Sequence, residues 1–413
     1  MNLSLKVLGL AVALSLTSGA VQAKECFVAT GNVKILSNDF PALHAVAKAA
    51  EACASDTLKV SKNQTKEHKD IQVAALTANP AEYTVAIVAN STLVTLMNDG
   101  LVRPLNDYVA KYGQDLGKNQ LITINGDVMA VAFMANAQHL FYREDILKKA
   151  GVEVPTSYEE MVAAGKKIKE MGLMKNPLSG TYKSGWNLGE EFINMYMGTG
   201  ADMFEKGSAM PAINNENGIA ALNMMKQVTE LMNPDFLTLD SNAVQADWEA
   251  GNVAMTVLWG SRAAGVLDDE GSTPEVVAAT KFASAPTVGG GSTPATTLWW
   301  DGFAIAKNAS DADAEASFAT MASATSLDMA KANADDATWL IKGSTPTAKS
   351  VGVAASAAGG AQPYPMLPYA GLMHTALGNE LSDFLQGKES AEQALKDVEA
   401  AYMTAAKEKG FIK

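Results

Sequence analysis

The sequence predicts an α/β protein organised as two domains. Strand-like and helix-like patterns alternate along the whole chain, as in sheets flanked by helices. The 413 residues also exceed what one ordinary hydrophobic core organises. A third observation bears on where the protein works. Lys6 precedes an apolar run over residues 7–16, and small residues lead into Val21-Gln22-Ala23. This is the pattern of a cleavable secretory leader over 1–23. The run is too short for a membrane span, which takes about 20 apolar residues. Lys24 and Glu25, ahead of Cys26, do not suit a lipid-attachment site.

The elements follow in order. Residues 33–36 read as a strand, and Asn38-Asp39-Phe40-Pro41 turns it into a helix over 42–53. Pro41 suits the first helical turn, and Asn38 or Asp39 can cap it. Residues 83–88 read as another strand, followed by the polar turn Asn90-Ser91-Thr92 and a helix from Leu93. Strand, polar turn, helix is how open α/β sheets place ligand contacts, beyond the carboxyl ends of the strands. Thr156 and Glu159 form a capping box for a helix ending at Gly172. Ala220, Ala221, Met224, Met225 and Val228 stand at helical spacing, as do Ala394, Leu395, Val398 and Tyr402 in a helix from Ser390. Residues 351–361 read as a loop or weak helix. Gly289-Gly290-Gly291-Ser292-Thr293-Pro294 is a flexible loop and not a phosphate cradle, because Gly-Lys-Ser/Thr is missing and apolar strand follows.

Composition excludes several functions. A formal charge of −13 makes nucleic acid and anionic membranes poor partners. The two cysteines, Cys26 and Cys53, are read first as a disulfide, since an exported chain meets oxidising conditions. A metal or redox site lacks C-x-x-C spacing and neighbouring histidines. His44, His68, His139 and His374 include no H-x-x-x-H pair, so no zinc ligand set is visible, and a G-x-S-x-G elbow is absent. Glu159-Glu160 and Asp268-Asp269 read as solvated charges. The twenty methionines are spread out as core filler, not gathered for a soft metal. The expectation is a binder without cofactor or metal; a glycosidase, needing only two carboxylates brought together by folding, is the enzymatic alternative.

Four segments carry a resemblance. Residues 140–160 run Leu140-Phe141-Tyr142-Arg143, through Lys148-Lys149-Ala150-Gly151-Val152, to Pro155-Thr156-Ser157-Tyr158-Glu159-Glu160. Trp248, Gly251, Ala254 and Met255 follow an "aromatic, x, x, Gly, x, x, Ala-Met" spacing; Gly302-Phe303-Ala304-Ile305 and Gly343-Ser344-Thr345-Pro346-Thr347 complete the set. In this order, behind a leader, they resemble the extracellular solute-binding proteins of ABC importers, especially the sugar-binding group related to maltodextrin-binding protein. The resemblance implies a two-lobed periplasmic clamp of the type II kind with about three crossings, near 134–137, 300–302 and 344–347. Lobe one would be 24–134 plus 302–343, and lobe two 138–299 plus 347–413. It further implies a monomer that captures a small molecule and hands it to membrane permease subunits. A sugar, short oligosaccharide or polyol is the first choice of ligand. A sulfonated or phosphorylated sugar, a polyamine or another small metabolite is the alternative.

Sugars need aromatic faces for their C–H surfaces and planar polar groups for their hydroxyls. At the family's contact positions the chain offers Asn38 and Asp39, Asn90 and Ser91, Asn136, Gly185 and Trp186, Trp259, Ser261 and Arg262, and Tyr369. Arg262 could instead pair with a surface carboxylate, and Asn38 and Asp39 could be only caps. Trp248 and Trp339 read as core. In Trp299-Trp300-Asp301-Gly302 side chains alternate along a strand, so Trp299 and Asp301 share one face and Trp300 takes the other; with Asp301 in the cleft, Trp299 joins it there and Trp300 packs away from it. The family commonly has an aromatic residue where Asp301 stands. That departure points to an extra hydroxyl or a cationic group being bound.

Overall fold

Runs of unbroken apolar residues become central strands, because a strand covered on both faces has no place for charge. A computed structural model describes residues 26–268 and 270–413; the leader expected over 1–23, with Lys24, Glu25 and Asp269, lies outside the described residues. The strands are β1 (Gly31–Ser37), β2 (Leu58–Gln64), β3 (Val85–Ala89), β4 (Leu121–Ile124), β5 (Asp127–Asn136), β6 (Gln138–Arg143), β7 (Leu178–Gly180), β8 (Met255–Trp259), β9 (Thr280–Ala283), β10 (Thr297–Ile305), β11 (Thr338–Trp339) and β12 (Gln362–Pro363). One sheet has the order β11-β5-β10-β3-β1-β2, with β4 added on β5 and β12 on β10; the other is β7-β8-β6-β9. β1 is parallel to β2 and β3, whereas β10 runs antiparallel to β3 and β5.

Buried apolar side chains form two cores. One draws on Val33 to Met134 and Phe303 to Ile341, the other on Leu140 to Trp299 and Tyr364 to Ala406. Ala137 alone separates β5 in the first sheet from β6 in the second. β10 arrives from the second core and shifts register between Asp301 and Gly302. Gly302 is needed there, since a Cβ would meet the Val131 carbonyl oxygen at 2.5 Å. Cys26 and Cys53 form a disulfide, tying the segment before β1 to the end of the helix Pro41–Glu51.

Several local expectations shift. Neither Asn38 nor Asp39 caps the helix Pro41–Glu51: Phe40 holds the N-cap position with no side-chain bond, and Asp39 reaches His44 at 2.6 Å. The capping box moves one residue along, with Ser157 Oγ accepting from the Glu160 N–H and the Glu160 carboxylate accepting from Thr156. Asn90-Ser91-Thr92 is the first turn of the helix Asn90–Asn98, not a loop before it. Val351–Ala358 is helical. Trp248 and Trp339 are buried in the second and first cores.

The helix Trp186–Gly198 lies in the second core and carries two adjacent buried carboxylates. Gly189 lets it approach the helix Ala370–Glu380, since a Cβ would stand 2.6 Å from the His374 carbonyl oxygen. Glu191 accepts from Gln138 Nε2 at 3.0 Å and from the Thr181 hydroxyl. Burial pushes its carboxyl up to about 7, against those hydrogen bonds, which favour the charged form. Between about pH 4.5 and pH 7 the unfolded chain therefore loses this proton while the folded chain keeps it, so stability falls as pH rises and levels off above 7. Glu191→Gln is expected to flatten this decline, and urea denaturation at about pH 5 and pH 8 measures it as a smaller difference than in the wild type. Reduction of Cys26–Cys53, which closes a separation of 27 residues, is expected to lower stability by about 3–4 kcal/mol on the chain-entropy account, read from denaturation with and without reductant.

Candidate functional site

The carboxyl ends of strands from both sheets converge on a cavity of about 630 Å³. From the first sheet, the turn after β1 supplies Asn38, Asp39 and Phe40, and the turn after β2 supplies Lys66, Glu67, His68, Lys69 and Asp70. From the second, the segment after β7 supplies Lys183, Trp186 and Asn187, the turn after β8 supplies Ser261 and Arg262, and Asp240, Ser241 and Asn242 open the helix Ser241–Glu249. Asn136, Trp299 and Asp301 stand where β5 and β10 pass between the cores.

Three tryptophans form the aromatic wall. Trp186 lies 6.3 Å from Trp259 and 5.6 Å from Trp299 between ring centroids, and Trp259 lies 5.9 Å from Trp299. Two of the rings are fixed from behind. Trp299 Nε1 donates to Glu190 at 2.9 Å, and Tyr364 packs on its ring at 4.2 Å. His374 stacks on Trp186 at 4.7 Å. Its Nε2 lies 2.7 Å from the Trp186 carbonyl, which can only accept, so Nε2 carries the proton and Nδ1 accepts from the Tyr364 hydroxyl at 2.9 Å. Burial holds His374 down at about 4, consistent with that neutral ring. Glu190 is fully buried, its Oε2 has no hydrogen-bond partner, and burial raises it to about 7. Gly185, at φ +95°, makes the turn that sets Trp186 as the first residue of its helix.

The polar groups divide into those with internal partners and those without. Asn136 Oδ1 accepts from the backbone N–H of Ala137 at 3.1 Å and of Ser261 at 3.2 Å, and its Nδ2 donates to Ser261 Oγ at 3.2 Å. Lys183 pairs with Asp240 at 3.2 Å. Arg262 donates to Gln245 at 3.2 Å and makes no ion pair with a described carboxylate; burial lowers its pKa, opposed by the charges of Asp240 and Glu249. Asp301 receives no hydrogen bond from any described residue. Burial raises its carboxyl to about 7, opposed by the charge of Lys69. Lys69 is lowered by burial, opposed by Asp301, Glu190 and Asp70. The Lys69 residue is exposed at the cleft and Asp301 is half-buried between its walls, so solvent reaches both.

The cavity thus brings together Asn38, Asp39, Asn136, Trp186, Trp259, Ser261, Arg262, Trp299 and Asp301 of the expected set. Trp300 packs against the first core instead, as alternation requires. Five expected residues fall elsewhere. Asn90 is buried and bound to the β10 backbone, donating to the Leu298 carbonyl at 3.2 Å and accepting from the Trp300 N–H at 2.9 Å. Ser91 lines a separate groove of about 310 Å³. Tyr369 donates to the Ser208 carbonyl at 2.7 Å and packs on Phe204, because the helix it precedes turns it into the second core. Gly185 and Gly302 shape the backbone without lining the cavity. Sequence reasoning missed Lys69, Lys183, Asn187 and Asp240–Asn242; Lys69 lies in the polar run Lys66 to Asp70, after a strand that is itself mostly polar.

Among the described residues, no group of three or more His, Cys, Asp or Glu could hold a metal ion, and no helix is long and apolar enough to cross a membrane. The cleft presents stacking faces and charged side chains, Asp301 and Lys69 among them, that make no hydrogen bond or ion pair with a described residue: a site suited to enclosing a polyhydroxylated molecule.

Comparison with known proteins agrees with this architecture. The family model for bacterial extracellular solute-binding proteins matches residues 41–326. The chain is similar to a maltose-bound MalE3 of T. maritima, with 19% identity and a TM-score of 0.80 over 91% of this chain and 100% of that one. It is also similar to an ABC transporter solute-binding protein of Agrobacterium radiobacter K84 in complex with ribitol (20% identity, TM-score 0.79, 91% and 98% covered). A third, from Agrobacterium vitis S4 with bound D-mannitol, shares 20% identity and a TM-score of 0.75 over 93% and 100%. These likenesses show a two-lobed α/β binding-protein fold, and the match over most of its length shows that this chain belongs to the bacterial extracellular solute-binding protein family.

Proposed function

We propose that the protein is the periplasmic substrate-binding component of an ABC importer, capturing a neutral carbohydrate or polyol between its lobes and delivering it to membrane permease subunits. The observation that carries this reading is the wall of Trp186, Trp259 and Trp299 beside the unpartnered Asp301 carboxylate. Aromatic faces take the C–H surfaces of a sugar, and a carboxylate accepts two hydroxyl protons. The sugar and polyol ligands of the structural relatives support the same class. A binding role, without chemistry, suits the family. The leader-like residues 1–23 support export to the periplasm.

Lobe one is 24–134 plus 302–343, lobe two is 138–299 plus 347–413, and the segments near 134–137, 300–302 and 344–347 act as the hinge. Ligand contacts come from both sides of that hinge, so a molecule touching both binds the closed form more tightly than the open one. Only this difference in affinity drives closure.

A thermal-shift screen tests the reading. A neutral sugar or polyol at 100 times its dissociation constant is expected to stabilise the protein by about 2.7 kcal/mol; midpoints unchanged by every neutral compound, with a rise on an anionic or cationic one, would overturn the ligand class. Trp299→Ala removes a stacking face and one of the two donors to Glu190, and is expected to weaken binding by about 10- to 100-fold. Asp301→Asn loses a charge-assisted hydrogen bond and is expected to weaken it by about tenfold or more. Calorimetric titration reads both.

A further inference from the structure

Lys69 sits in the first turn of the helix His68–Thr77, on the first-sheet side of the cleft. Its Nζ lies over the ring of Trp186, 4.3 Å from the centroid, and Trp186 belongs to the second core's side. The contact therefore spans the cleft. The Lys69 ammonium makes no hydrogen bond and no ion pair with a described residue. It is held by the negative face of the indole and by the charges of Asp301, Glu190 and Asp70. Asp301 likewise has no direct partner, and a carboxylate beside aromatic walls is unfavourable unless a positive charge compensates it. Each supplies what the other lacks.

We propose that Trp186 and Asp301 form a cation subsite that the protein fills with its own Lys69, so that Lys69 determines specificity by excluding ligands bearing a positive charge. This deepens, and rests on, the carbohydrate reading. An incoming ammonium that sought the Trp186 face would meet Lys69 at close range, and like charges placed side by side repel. A neutral polyol meets no such obstacle. It stacks on the tryptophans, donates one hydroxyl to Asp301 and accepts from Lys69, whose three N–H donors are otherwise unused. Asp301, which stands where the family commonly has an aromatic residue, thus points to a positive charge that the protein itself provides. Of the other cations lining the cavity, Lys183 is paired with Asp240 and Arg262 with Gln245, and Lys66 stands three residues before Lys69 in the same turn.

The test is calorimetric titration of wild type, Lys69→Gln and Lys69→Arg with mannitol and its terminal amine, ribitol and its terminal amine, and glucose and glucosamine. Wild type is expected to bind a neutral member at least about tenfold more tightly than its amine. Lys69→Gln vacates the subsite and is expected to improve amine binding by about tenfold. Lys69→Arg keeps the exclusion, and adding Asp301→Asn to Lys69→Gln abolishes the gain. Neutral binding with an unchanged neutral-to-amine ratio in Lys69→Gln overturns the inference and leaves the carbohydrate reading standing. So does a wild type that binds amine and neutral members equally. No binding of any neutral member to wild type overturns the carbohydrate reading itself and the inference with it.

Discussion

The arrangement of the cleft depends on how the strand Thr297–Ile305 is held where its ladder runs out. On one side it pairs with β3 only as far as Asp301 opposite Ala89, because β3 ends there. Beyond that point β3 offers nothing to the Trp300 N–H or to the Leu298 carbonyl, which accepts on its other side from the Tyr364 N–H at 3.0 Å. Asn90, the next residue after β3, supplies both with its side-chain amide. One planar group therefore stands in for another step of strand and grips the backbone on either side of Trp299. With β5 pairing opposite Trp299 and Trp300 on the other edge, the strand cannot rotate. Trp299 and Asp301 must face the cleft, and Trp300 must face the first core.

The same strand links two electrostatic environments. Behind Trp299, Glu190 and Glu191 sit among apolar side chains, where burial favours the neutral acid. In front of it, Asp301 and Lys69 face each other across aromatic surface that water reaches only from the cleft. Glu190 fixes Trp299 through its indole N–H, while its charge is also one of those felt by Lys69. The position of the aromatic wall and the state of the charges in the cleft are thus set by one short stretch of buried helix.

The fold was legible because its strongest signals are periodic. The apolar runs of β3 and β5, the helical spacing around Met224 and the order of the resembling segments each report on burial, and burial is what periodicity encodes. Strand alternation put Trp299 and Asp301 on one face and Trp300 on the other, and left open which of the two faces meets the cleft. What stayed hidden has a physical cause. β2 reads Leu58-Lys59-Val60-Ser61-Lys62-Asn63-Gln64, and as an edge strand it is largely exposed. No apolar run announced it, so the polar turn that follows it, with Lys69, could not be identified as a strand end. Cap positions slipped by a residue, as at Ser157 and Glu160, because neighbouring Thr156-Ser157 and Glu159-Glu160 pairs satisfy the same pattern in two registers. Tyr369 was misplaced because the position of an aromatic residue after a proline-rich turn does not say which way the next helix turns it.

Residue type at the end of a strand is ambiguous for a deeper reason. An asparagine or aspartate there can cap a helix, extend a ladder or meet a ligand, and all three uses exploit the same oxygen and the same N–H groups. What separates them is whether those groups are already spent. Asn90 uses both ends of its amide on β10, and Asn136 uses both on Ala137 and Ser261, so the first is a structural clamp and the second ties the β5–β6 crossing to the turn after β8. The Asp301 carboxylate and the Lys69 ammonium make no hydrogen bond with a described residue, although burial disfavours the charge of both. A group kept at that disadvantage, with its capacity aimed into a cavity, is matched by something that enters the cavity or by another such group across it. Here both conditions hold at once, and it is that combination, more than the presence of tryptophan, that makes the cleft a binding site.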